Sequence, residues 1–74
     1  MAKASPVSCV TQIGTVAGII WQALSDKGPL TLVKLLKVAD EPRDTVMQAI
    51  GWLAREGKID ITDKGRYRVV SLQQ

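Results

Sequence analysis

Past Gly57 the apolar residues of this chain change their period. Before it they recur every three or four residues, and beyond it they alternate. The stretch AIGWLAREGKIDI, residues 49–61, holds the switch: Ile50 and Leu53 stand three apart, Ile59 and Ile61 two apart. A helix returns a side chain to the same face after 3.6 residues and a strand after 2. The chain therefore reads as helical up to Gly57 and extended after it. Its 74 residues are enough for one domain.

The helical part divides at two breaks. Val10, Ile13, Ala17, Ile20 and Leu24, widened by Val16, share one face and predict a helix from Val10 to the DKGP stretch at 26–29. Gly28 suits the position after a helix end, and Pro29 cannot continue the helix. Leu30 reads as a short extended residue. Thr31 can cap a second helix, LVKLLKVA, with Leu32, Leu35, Leu36 and Ala39 on one face. Asp40 or Glu41 can cap a third, with Pro42 in its first turn. Val46, Ala49, Ile50 and Leu53 are its core stripe, and Gly57 ends it.

The extended part reads as a hairpin. KIDIT carries Ile59 and Ile61, RYRVVSL alternates through Tyr67 and Val69 toward Leu72, and Asp63, Lys64 and Gly65 supply the turn. The expected core is Ile13, Ile20, Leu24, Leu35, Leu36, Ile50, Leu53, Ile59 and Tyr67. Residues 1–9, small and polar around Pro6, are expected to form a flexible tail, and residues 10–72 the domain.

Helix, short strand, helix, helix, hairpin is the order of an α+β winged helix, a three-helix helix-turn-helix core with a C-terminal β-hairpin wing. The KVADEPRDTV junction, residues 37–46, fits the tight turn between its second and third helices. The third helix would then be the recognition helix, and residues 63–66 the tip of the wing. Two strings strengthen this reading: GWLAREGKI at 51–59 and AGIIWQAL at 17–24. Together they resemble a family of small, free-standing bacterial and archaeal winged helix-turn-helix proteins. The resemblance covers roughly residues 10–70. It implies the fold and no particular target, because a fold does not specify a function.

Composition narrows the function classes. Hydrophobic residues make up 46% and charged residues 23%, a globular balance. Ten Lys and Arg against seven Asp and Glu leave a formal charge of +3, compatible with a polyanionic partner. One cysteine, Cys9, and no histidine give no internal disulfide, no zinc ligand set and no imidazole to activate the thiol. Cys9 reads as a buried or incidental thiol. With no Gly-rich phosphate loop either, no catalytic residue, metal or cofactor is expected, and the chain reads as a non-enzyme. Asp60 and Asp63 read as surface residues rather than an acid–base pair. The N-terminus lacks an apolar signal region, and VAGIIW is too short to span a bilayer. The expectation is a cytoplasmic protein with no membrane partner.

Two clusters are candidates for contacting double-stranded DNA. On the third helix, Arg43, Thr45 and Gln48 are the base-reading candidates, since Arg suits guanine and Gln suits adenine. Asp40, Glu41 and Asp44 surround them and would repel phosphates, although acids favour a helix N-terminus. On the wing, Lys64, Arg66 and Arg68 flank the Gly65 turn, with both arginines expected on one face and Tyr67 on the other. The alternative for the wing is an edge hairpin that uses charge against strand-to-strand aggregation. Lys34 and Lys37 read as a solvated face of the second helix. Trp21 and Trp52 are expected to seal seams between elements rather than to stack on bases.

Two functions remain open at this level. One is a DNA-binding winged-helix module of the transcriptional-regulator kind. The other is a protein-interaction or dimerisation module that keeps the fold without binding nucleic acid. Ile19, Val33, Val38 and Val70 fall outside the core stripes, and as an exposed surplus they lead to the expectation of a homodimer.

Overall fold

Ser8 starts the first helix. Its Oγ accepts the backbone N–H of Thr11 at 3.1 Å, satisfying a donor that the first turn leaves free. Helix α1 runs Cys9–Lys27 and ends on Gly28, whose φ of 79° only glycine adopts without strain and whose N–H donates to the Leu24 carbonyl at 2.9 Å. The computed structural model describes residues 8–73. Of the expected tail, Ser8 is thus the cap of the helix and Cys9 its first residue, and the rest lies outside the described residues. Cys9 is exposed.

Strand β1 is the pair Leu30–Thr31, and Thr31 at once caps helix α2, Leu32–Ala39, by accepting the Lys34 N–H at 3.2 Å. Helix α3 spans Arg43–Arg55. The capping expected for α3 differs. Asp40 instead terminates α2: it adopts the left-handed conformation, φ 51°, and its N–H donates to the Leu36 carbonyl at 3.3 Å. Asp tolerates that conformation better than most residues. Pro42 then holds the N-cap position of α3, one residue earlier than expected, with no side-chain cap bond. At the other end Gly57, φ 75°, donates to the Ala54 carbonyl at 3.1 Å, while Lys58 donates to that of Leu53 at 3.0 Å. This paired closure, a Schellman motif, turns the chain from helix into strand.

Strands β2, Ile59–Asp63, and β3, Arg68–Leu72, form the hairpin. β3 is the central strand of an antiparallel sheet in the order β1-β3-β2. Leu30 and Ile61 both pair with Val70, from opposite sides.

The hairpin turn corrects the inward register of β3. Asp63 remains in β2, paired with Arg68, and the connection is residues 64–67, closed by the Lys64 N–H on the Tyr67 carbonyl at 2.9 Å. Tyr67 is therefore a loop residue and 51% exposed, not a core residue. Val70, expected outside, is 0% exposed and among the largest fully buried side chains. A shift of one residue sends every side chain of a strand to the other face. Ile61 is exposed as well, so only Ile59 anchors β2 to the body, while Val70 and Leu72 anchor β3, and the exposed residues 60–68 between them form the wing.

The core is wholly apolar among the described residues. Val16, Ala17, Ile20, Ala23 and Leu24 of α1 meet Leu35 and Ala39 of α2, Val46, Ala49, Ile50 and Leu53 of α3, and Ile59 and Val70 of the sheet. Ile13, Leu36 and Ile19 are partly buried against this cluster, while Val10 remains exposed. The apolar surplus expected to drive dimerisation is thus dispersed: Val70 is core, Ile19 packs on the core, and only Val33 and Val38 stay exposed on α2. Among the described residues, no helix is long and apolar enough to cross a membrane.

Candidate nucleic-acid interface

The wing tip is built by Asp63. Its carboxylate accepts the Gly65 N–H at 2.8 Å, and Gly65 takes φ 93°, a conformation that a β-carbon disfavours. This turn holds Lys64, Arg66 and Arg68 exposed around it. Arg66 lies in the turn rather than on a strand, so alternation along the strand does not set its direction. The turn itself brings the arginines together: Arg66, Tyr67 and Arg68 line one open groove of about 330 Å³ with Asp63, Gly65, and Leu32 and Val33 from the start of α2. Asp63 also stands opposite Arg68 in the ladder, an opposite-charge cross-strand pair that favours the register. Three cations against one carboxylate leave the tip net positive.

The helix candidates are spread over different faces of α3. Arg43 is its first residue and exposed. Thr45 is half-buried and turned toward α1, where it lines a groove with Gln12, Thr15, Val16, Glu41 and Pro42. Gln48 is exposed and borders another depression with Val10, Ile13 and Trp52. The wing arginines share one groove; the α3 candidates do not join them in it. Asp44, the acid of the first turn, is exposed beside Arg43.

The tryptophans meet expectation in part: Trp52 of α3 rests against Gly14 of α1, yet neither ring is buried. Trp21 is 43% exposed and Trp52 47%. They line an open groove of about 290 Å³ between α1 and α3, with Gly14, Ala17, Gly18 and Leu53, and with Glu56 and Lys58 at its edge. Residue spacing carries a signal for it: Gly14, Gly18 and Trp21 lie four and three apart, on one side of the first helix. A tryptophan beside glycines has too little neighbouring side chain to cover it, which is why the usual burial of tryptophan fails here.

Among the described residues no group of three His, Cys, Asp or Glu side chains is placed to hold a metal ion. No curated protein matches the sequence. A family model described as a winged helix-turn-helix domain (DUF2582) matches residues 2–72, nearly the whole chain. Among the described residues three helices, a three-residue junction between the second and third, and a C-terminal hairpin agree with that description, and the chain belongs to the winged helix-turn-helix domain family DUF2582.

Proposed function

We propose that this domain is a non-catalytic, cytoplasmic DNA-binding module of the transcriptional-regulator kind, docking through its wing. The observation that carries the reading is the wing tip: Lys64, Arg66 and Arg68 are all exposed, and both arginines line one groove on a hairpin that leaves the body. Such a cluster suits phosphate oxygens, which position a protein on a duplex without reading its sequence. Arg43 and Gln48 would supply base contacts from α3, with Thr45 confined to the α1 side. The acids Asp40, Glu41 and Asp44 weaken α3 as a docking surface, so the wing carries the electrostatic share. The same reading takes the protein as a homodimer, since a domain of this size buries a modest share of its surface and gains stability when a second copy binds.

Titrating a random-sequence duplex at low salt, then at raised salt, tests the DNA reading. Binding that weakens steeply with salt supports it, and no binding at low salt counts against it.

A second reading, a protein-interaction module that does not bind nucleic acid, is favoured by the two half-exposed tryptophans and the acidic start of α3. Under it the duplex titration is flat, while the tryptophan groove still has a partner.

A further inference from the structure

We infer that the groove between α1 and α3 is the seat of a second copy of this chain, with Trp21 and the open face of Trp52 packing against Gly18 across a twofold axis. The inference rests on the homodimer reading and is independent of DNA binding.

Val10, Gly14, Gly18 and Trp21 recur on one side of α1, a strip about 16 Å long at 1.5 Å per residue. Val10 is 78% exposed. Trp52 of α3 lies beside this strip, over Gly14. The open halves of the two indoles leave roughly 200 Å² of apolar surface, an area a monomer also shows, so it is the shape of the patch and not its size that points to a partner.

Gly18 shows that the chain's own packing does not fill this groove. It is exposed, and a β-carbon there would meet nothing within 4 Å. Its φ is not positive, so the backbone does not require glycine. A glycine inside a helix lowers helix stability, and neither conformation nor an internal neighbour accounts for this one. Close approach of another molecule does.

The features identify that molecule as a second copy. In a twofold dimer one patch meets itself, so it must carry both the projecting and the receiving parts. This patch does: bulky indoles stand beside the open Gly18. Its edge carries one acid and one base, Glu56 and Lys58, which a twofold axis can set against each other as opposite charges.

The chain has two tryptophans and both line the groove, so intrinsic fluorescence reports on it directly. The test follows tryptophan emission and sedimentation mass of the full chain from micromolar to millimolar concentration, with Gly18→Gln in parallel. The inference predicts a blue shift that tracks conversion from monomer to dimer. Gly18→Gln should raise the dimer dissociation constant by roughly 30-fold or more, the size of a hot-spot loss. It should keep the helical circular dichroism and should not lower the melting temperature of the monomer, because the new side chain enters open space on a better helix former. A monomer at every concentration would overturn both the homodimer and its seat. A dimer unaffected by Gly18→Gln would overturn the seat alone. Blue-shifted emission already present in the dilute monomer would show the groove covered by the chain itself, and would also overturn it.

Discussion

Trp52 lies over Gly14, so close that a β-carbon on Gly14 would stand 3.7 Å from Cζ3 of the indole and 3.9 Å from Cη2. Both are ordinary contact distances, so the ring rests against α1 without needing glycine there. Gly14→Ala should therefore be accepted and should stabilise α1 by about 0.5–1 kcal/mol, the usual gain of alanine over glycine in a helix interior. A melting curve checks it; a fall in melting temperature would mean that the ring and the helix approach more closely.

Gly51 makes a parallel case on α3. It is exposed within the helix, and a β-carbon there would meet nothing within 4 Å. Gly51→Ala should raise stability by about 0.5–1 kcal/mol, a shift of several degrees in melting temperature for a domain of this size. If the variant is more stable yet binds duplex less well, the glycine serves close approach at the α3 surface rather than the fold.

The register of β3 is tested by two substitutions. Val70→Ala should cost about 2 kcal/mol, since it removes two methyl groups from a fully buried site paired on both sides. Tyr67→Ala, in the exposed turn, should change stability by no more than about 0.5 kcal/mol. The opposite ranking in chemical denaturation would restore Tyr67 to the core.

Leu53→Ala should cost about 2–5 kcal/mol. Leu53 is buried where α3 meets α1 and the sheet, and its carbonyl also accepts the Lys58 N–H of the helix closure. The substitution keeps that backbone bond, so the loss measures side-chain packing. An unchanged melt would place the α3 core face elsewhere.

These residues also show where sequence pattern suffices and where it does not. Ile20, Leu24, Leu35, Ile50, Leu53 and Ile59 are buried as their periodicity implies, because a helical or strand period fixes a face whatever the neighbouring element does. Tyr67 and Val70 exchange places because the parity of β3 depends on turn length. The bond from Lys64 to Tyr67, which makes the turn a four-residue loop, is a local conformation that alternation does not encode. Asp40 ends one helix instead of starting the next because the same residue type serves both roles, and the short connection between them decides. The habit of their residue type predicts burial for Trp21 and Trp52, whereas their exposure depends on which residues of a second helix lie alongside. For the candidate site, wing charge is readable from DKGRYR; the separation of Thr45 from the wing cations depends on how α3 is rotated against α1.

In the DNA-binding reading, the wing supplies the phosphate contacts. Its most direct test is the salt dependence of duplex binding for the native chain and for Arg66→Ala combined with Arg68→Ala. Each phosphate contact contributes about 0.9 to the slope of log affinity against log salt. The double variant should flatten that slope by about two units and weaken binding to all duplexes alike, with the fold unchanged because both side chains are exposed. Native-like affinity and slope in the double variant would show that the wing does not contact the duplex and would leave its charge as protection of an exposed strand edge.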